Sequence, residues 1–275
     1  MDYLDFLTNL PNLSIWGVIS VFLLILTRFI PIMIMAPFLG AKLAPGIARM
    51  GLAIALTTVF LPFVVAKVTA PVGFNYAFIG YALKELLIGF LLGLMITIPF
   101  YTVQSSGIFI DYLRGASIMQ AQDPSMQTQA SSIGILYNYI LIVIFFQVSA
   151  PFIFFDAILL SFDIVPVNHY INPIFFAPNS PFWENGVDIM NQIVTIAIQL
   201  GAPSIVAILM AEMFLGIANR LSPQVQIAFL GMSIKSLLGL ALLWAAWFFI
   251  LKQFAKHSYD WVEMVNEAIY YMGVQ

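Results

Sequence analysis

Residues 76–101 read YAFIGYALKELLIGFLLGLMITIPFY. A run this long and this apolar is sufficient to cross the ~30 Å hydrocarbon core of a bilayer as a helix, yet it carries Lys84 and Glu85 side by side. A charge at the centre of a bilayer costs roughly 2.5–3.5 kcal/mol or more, so such residues face protein or a water-filled path. Glu85, Gly89 and Gly93 recur at every fourth position and therefore share one helix face. Glycine at that spacing lets another backbone approach closely. A carboxylate on the same stripe must then be met by a group on the neighbour.

The same signature recurs outward along the chain. Six apolar segments are legible at 14–39, 46–66, 76–101, 131–162, 186–219 and 225–256. Arg28, Asp156, Glu212 and Lys235 lie inside them as Lys84 and Glu85 do. Glu212, Gly216 and Arg220 form a second charged stripe, and Gly231, Lys235 and Gly239 a third. Ordinary helix packing accounts for any one stripe; three in one chain favour a tightly packed helical assembly. The short turn Asn219-Arg220-Leu221-Ser222-Pro223-Gln224 makes the last two segments an antiparallel hairpin. Across it, Glu212 and Lys235 are spaced to pair.

Composition supports a membrane protein. The chain has 275 residues, of which 62% are hydrophobic and only 8% charged, against about 25% charged in an ordinary soluble domain. Lipid or many protein neighbours must cover so much apolar surface. A net charge of −3 leaves no basic patch for nucleic acid. Cysteine is absent, which removes disulfides, thiol nucleophiles and thiolate metal sites. The histidines are His169 and His257, far apart. No His-Glu-x-x-His, phosphate-binding loop or Gly-x-Ser-x-Gly elbow is present, so neither catalysis nor a cofactor is expected.

The resulting fold expectation is an all-α, membrane-associated bundle of long, kinked helices and helical hairpins. Segment 131–162, read as one helix at 1.5 Å per residue, would be ~48 Å long and protrude from a bilayer. Pro31, Pro37, Pro45, Pro62, Pro71, Pro99, Pro151 and Pro203 mark ends or kinks. Residues 163–185, with Pro166, Pro173, Pro178 and Pro181, read as an extended loop ordered by packing. Residues 1–12 are acidic and lack the basic region of a signal peptide, so the first apolar segment is expected to be retained. If all six segments span, Lys42, Arg49, Arg114 and Arg220 fall on one side and Lys67, Lys252 and Lys256 on the other. That count does not orient the protein by positive charge; either the protein is oriented by other means, or six spans is the wrong description and the longer helices do not sit in the membrane conventionally. The tail, 257–275, is amphipathic, with Trp261, Val265, Ile269 and Met272 on one face. That face suits either a lipid surface or a partner subunit, and the acidic Asp260, Glu263 and Glu267 on the polar side favour the subunit.

Residues 111–129, DYLRGASIMQAQDPSMQTQ, lie between apolar segments yet are rich in Gly, Ser and Gln. A solvent loop is the plain reading. The alternative is a constriction, because irregular backbone at membrane depth is tolerated where it is buried in protein or lines a cavity. Ile118, Met119 and Met126 would then form a pliable apolar seal.

Several of these elements, in order, resemble a known family. Arg28-Phe-Ile-Pro31, Pro37-Phe38, Pro45 with Arg49-x-Gly51-Leu52-Ala53, Lys84-Glu85-Leu-Leu-Ile-Gly89, Arg114-Gly-Ala-Ser-Ile118, Asp123-Pro124, Ser161-Phe162, Pro166, Asn219-Arg220-x-x-Pro223-Gln224 and Lys235-x-x-x-Gly239 are similar to the motifs of the type III secretion export-apparatus subunit family SctT, whose flagellar counterpart is FliR. The likeness covers about residues 14–256, and its Arg-Gly-Ala-Ser wording looks more like the virulence branch.

The resemblance implies a single-copy subunit of an inner-membrane export gate, raised toward the periplasm in the secretion basal body. There it packs in a pseudo-helical hetero-oligomer with five copies of one sister subunit and four of another. Residues 1–185 would resemble the five-copy sister, the hairpin 186–256 the four-copy sister, and 257–275 form the tail of one continuous export-apparatus domain. The resemblance also implies a pore-plugging loop at Gly115, Ala116, Ser117, Ile118, Met119, Gln120, Asp123, Pro124 and Met126. Flagellar members carry aromatic residues there; this chain has Ile118, Met119 and Gln120. Subunit packing would fall to Arg49, Lys84, Glu85, Gly89, Gly93, Glu212, Gly216, Arg220, Pro223, Gln224, Lys235 and Gly239. Implied partners are the sister subunits, an autocleaving switch subunit, needle or inner-rod proteins, unfolded exported proteins in transit, and lipid.

A secondary transporter is the competing reading, with Asp156, Glu212 and Lys235 as coupling groups. It requires pseudo-symmetric halves with paired broken helices, which the sequence does not show.

Overall fold

The computed structural model describes residues 14–41, 44–68, 73–115, 131–177, 180–221 and 227–273. Among them there is no strand. The α-helices are α1 (Ile15–Met35), α2 (Gly46–Val65), α3 (Tyr76–Leu113), α4 (Ser132–Gln147), α5 (Ala150–Ile164), α6 (Pro181–Leu221), α7 (Ile227–Ala245) and α8 (Trp247–Gly273), with short 3-10 turns at Pro37–Leu39 and Pro173–Phe176. The all-α expectation holds, and the helices are long and proline-kinked: Pro31, Pro62, Pro99 and Pro203 lie inside α1, α2, α3 and α6.

Among the described residues, α1, α2, α3 and α6 are long and apolar enough to cross a membrane. The count rises to six if the bent pairs α4–α5 and α7–α8 each form one span. The chain is a multi-pass membrane protein. Segment 131–162 is not the single ~48 Å rod that its composition suggests. It breaks at Val148–Ser149, where Ser149 takes a left-handed φ of 58°. Pro151 then sits in the first turn of α5, a position suited to starting a helix. The sixth apolar segment also breaks, and the tail continues α8 without interruption from Trp247. The expected loop 163–185 is shorter than its prolines suggest, because α6 already begins at Pro181.

Two compact units form. The first comprises Met1–Ile98, Ser149–Asp188 and Asp260–Gln275. Its core surrounds α1, where Val21, Leu24, Ile25, Phe29 and Ile32 are 0% exposed. Ser14 caps that helix by accepting from the Gly17 N–H at 3.2 Å. Phe29 and Phe60 join α1 to α2 edge to face at 5.0 Å. The amphipathic tail packs inside this same unit. Trp261, Val265, Ile269 and Met272 are all buried, so the chain itself covers the face that was expected to meet lipid or a partner.

The second unit comprises Pro99–Val148 and Ile189–Tyr259. Phe100 meets Phe145 at 5.4 Å and Tyr137 meets Phe254 at 5.3 Å. The hairpin α6–α7 is antiparallel. The Ser204 hydroxyl reaches Gly239 O, Ile208 borders Gly239, Lys235 pairs with Glu212, and Leu215 borders Gly231. Partners thus step up one helix as they step down the other. The outer face of this hairpin keeps Met210, Phe214, Leu237 and Trp244 exposed.

Candidate functional site

Four of the quoted motifs converge on one buried cluster in the first unit. Arg28, 0% exposed, donates through Nε to Glu85 Oε2. One terminal nitrogen of its guanidinium donates to Ser161 Oγ at 2.8 Å and the other to Val165 O at 2.9 Å. The guanidinium carbon lies 3.8 Å from the centroid of the Phe162 ring, a cation–π geometry. The Ser161 hydroxyl in turn donates a hydrogen bond to Ile158 O at 2.6 Å. Lys84 Nζ completes the cluster, 2.5 Å from Glu85 Oε1, and donates to Pro166 O at 2.7 Å.

The arrangement has a clear electrostatic logic. Helix α5 ends at Ile164, and the last carbonyls of a helix lack intrahelical donors and carry partial negative charge. Arg28 and Lys84 point at the chain leaving that end, and Glu85 balances one of the two cations. At the rim, Lys67 pairs with Asp163; both are largely exposed, so this pair contributes little. Desolvation makes the buried Arg28–Glu85 pair a poor source of net stability, but the loss of either partner strands a charge. Its principal effect is to fix the packing of α1, α3 and α5.

The glycine stripe of α3 lies directly beside this cluster. A Cβ at Gly89 would collide with Arg28 O, and one at Gly93 would lie 3.2 Å from Ile32 Cα. Next along the same helix, the Thr97 hydroxyl sits 3.0 Å from Met35 O, the last carbonyl of α1. The third stripe also meets a neighbour, Gly231 against Leu215 and Gly239 against Ile208. The second differs. Nothing lies within 4 Å of where a Gly216 Cβ would stand. Arg220 is exposed, and the Glu212 side chain is 55% exposed although it accepts from Lys235 Nζ at 2.7 Å. Glu212 is therefore not a buried charge within this chain. Asp156 is also exposed; both point away from the apolar interior because the inward stripes of α5 and α6 are filled by apolar side chains. Arg49 is partly buried and donates to Ala41 O at 3.1 Å.

Of the expected plug residues, Gly115 is described. It closes α3 with a φ of 88°, a left-handed conformation that favours glycine. Ala116, Ser117, Ile118, Met119, Gln120, Asp123, Pro124 and Met126 lie outside the described residues, as do Pro223 and Gln224. The two arms flanking 116–130 belong to the second unit and are bound together. Asp111 Oδ2 accepts from Ser131 Oγ at 2.6 Å and from the Ile133 N–H at 3.0 Å. Arg114 Nε lies 2.7 Å from Asp111 Oδ1. Farther down, Asn138 donates to Gln104 at 3.2 Å, and Gly107 abuts the Gly134 backbone too closely for a Cβ. Sequence reasoning missed this stem. Its signal was available in the small and polar residues Gln104, Gly107, Gly134 and Asn138, set four or so apart in otherwise apolar helices.

Among the described residues no group of three or more His, Asp and Glu side chains is placed to hold a metal ion. The sequence matches the family described as bacterial export proteins, family 1, over residues 19–260.

The chain belongs to that family.

Its similarity extends to curated members of both branches. It is 31% identical over 221 residues to Yop proteins translocation protein T of Yersinia pestis, covering 80% of this chain and 83% of that one. Against the secretion system apparatus protein SsaT of Salmonella typhimurium the identity is 25%, covering 80% and 83%. Against the flagellar biosynthetic protein FliR of Bacillus subtilis it is 26%, covering 81% and 84%. Membership gives the chain a general part in bacterial protein export. Within the family motifs, Arg28, Lys84-Glu85, Ser161-Phe162 and Pro166 build the cluster that fixes the first unit, and Arg114-Gly115 stands where the stem opens.

Proposed function

We propose that this chain is a non-enzymatic, pore-lining subunit of a type III secretion export gate in the bacterial inner membrane. It packs once into a pseudo-helical core with five copies of one sister subunit and four of another, raised toward the periplasm. Unfolded proteins pass through that core toward needle or inner-rod proteins, with an autocleaving switch subunit alongside. Residues Gly115–Met126 form the barrier in the pore, with Ile118, Met119 and Met126 as an apolar seal in place of aromatic residues.

The observation that carries this reading is the polar stem. Asp111 ties the two arms from which the segment runs through Ser131 and Ile133, and Arg114 pairs with Asp111 within the first arm, so a Gly-, Ser- and Gln-rich stretch is anchored at both ends on helices. Relatives named for the translocation of Yop proteins and for flagellar biosynthesis agree with export. The exposed apolar hairpin face with Met210, Phe214 and Trp244, bordered by Glu212, Gly216 and Arg220, suits coverage by sister helices; Arg49, Pro223, Gln224, Lys235 and Gly239 would support the same packing.

Native mass spectrometry of the detergent-extracted protein, expressed with its chromosomal neighbours, tests the assembly. One copy with several copies of small membrane partners is the expected result; a stable monomer without partners overturns it. Deletion of 116–126 tests the barrier. The assembled complex should then leak ions in a planar bilayer, and unchanged conductance counts against the seal.

A further inference from the structure

We infer that Asp111 is a positioning residue for the barrier: one buried carboxylate sets the spacing and register of the two helical arms that hold it. The inference rests on the reading of Gly115–Met126 as that barrier, but it concerns residues outside the segment.

The first N–H groups of a helix lack intrahelical acceptors, and the N-terminal end favours an anion. In α4 these needs are met from two directions. Ser131 is the N-cap and accepts from the Gly134 N–H at 2.8 Å, which is a local cap. The Ile133 N–H is met by Asp111, at 3.0 Å and 22 positions earlier in the chain. The same Asp111 oxygen accepts a hydrogen bond from the Ser131 hydroxyl at 2.6 Å, so the cap residue itself is oriented from α3.

The other oxygen faces Arg114 Nε at 2.7 Å, just beyond the C-terminal end of α3. There a cation complements the partial negative charge of the last carbonyls. Asp111 is 5% exposed, and hydrogen bonds to a buried ionised group are stronger than neutral ones. The stem below it is already in contact, Gly107 on Gly134 and Gln104 on Asn138. Asp111 therefore holds the end of the stem nearest the barrier, where separation of the arms would shift the barrier most.

The test uses the assembled complex in planar bilayers and a reporter placed in the stem. The chain has no cysteine of its own, so spin labels at Tyr112→Cys and Ser132→Cys, both exposed positions, are the chain's only thiol labels. Dipolar broadening between them is expected in the parent and lost with Asp111→Ala. It is largely retained with Asp111→Asn, whose amide oxygen still accepts from Ser131 and Ile133. Resting conductance should rise roughly tenfold in Asp111→Ala, as expected for losing a charge-assisted hydrogen bond that favours one state. A short bis-maleimide bridging the same two cysteines should return it toward the parent level.

A deletion of 116–126 that leaks beside an Asp111→Ala that does not overturns the Asp111 inference and leaves the barrier reading intact. A deletion that does not leak overturns the barrier reading, and the inference with it. Leakage in Asp111→Ala that bridging fails to reverse also overturns the inference, because the carboxylate then acts other than by holding the arms. If Asp111→Ala does not assemble, Asp111→Asn with Ser131→Ala removes the hydroxyl contact and the charge while keeping an acceptor for Ile133. Parent-like broadening and conductance in that variant overturn the inference.

Discussion

The indole N–H of Trp261 donates to the backbone carbonyl of Met95 at 2.9 Å, and Met95 is the residue whose helical donor is missing. An α-helical carbonyl accepts from the N–H four residues on; here that residue is Pro99, which has none. The tail thus repairs the vacancy that the proline leaves in α3. Trp261→Phe keeps most of the packing and removes the donor. It should destabilise the protein by about 1–3 kcal/mol, the cost of a buried acceptor left unmet. Pro99→Ala supplies a backbone donor, so Trp261→Phe should cost less in that background. Thermal unfolding of the four proteins in a double-mutant cycle reads the coupling, and equal costs in both backgrounds would refute the link.

Removing either member of the Arg28–Glu85 pair should be severe. Glu85→Ala leaves Arg28 and Lys84 buried without a counter-charge, at about 3–5 kcal/mol, and the protein should fail to accumulate in membranes. Arg28→Met with Glu85→Leu removes both charges and should recover part of the loss, although Lys84 and the Ser161 and Val165 contacts keep recovery incomplete. Steady-state membrane levels, compared across single and double variants, check the order.

Two glycines of the same spacing should respond oppositely. Gly89→Ala places a methyl against Arg28 O and must push α3 from α1, costing about 1–3 kcal/mol by overpacking. Gly216→Ala meets nothing in this chain and should raise subunit stability by about 1 kcal/mol through helix propensity. Melting curves of the isolated subunit separate the two. Loss of co-purification with partners in Gly216→Ala, at normal subunit levels, would place that open face at a subunit contact.

The Glu212–Lys235 pair is half exposed, and such pairs contribute roughly 0.2–1 kcal/mol. Charge reversal at either residue should weaken the α6–α7 hairpin by that order plus a similar repulsion, and double reversal should restore it. Hairpin protection in hydrogen exchange is the measurement; absence of rescue removes the pair from the account.

The charges and glycines were legible because apolar helices make them conspicuous. Arg28, Lys84 and Glu85 stand out against lipid-compatible neighbours, and the spacing of Gly89 and Gly93 points to close backbone contact, which α1 provides. The break at Ser149 was not legible, because apolar composition continues through it and hydropathy does not register a single left-handed residue. Exposure was harder still. Glu212 and Asp156 read as interior charges, but which side of a helix meets the core depends on neighbours that the local pattern does not name. The stem residues Asp111 and Ser131 were hidden because an N-cap completed from 20 positions away has no local motif.

The Arg28 cluster also imposes an order on biogenesis. Arg28 emerges during synthesis 57 residues before Glu85 and 137 before Val165. At about 5–20 residues per second, its counter-charge arrives roughly 3–11 s later and its last acceptor roughly 7–27 s later. Throughout that interval α1 carries an uncompensated guanidinium that lipid penalises by about 2.5–3.5 kcal/mol. That penalty is lifted only when α3 and α5, the third and fifth helices, have been made and packed against α1.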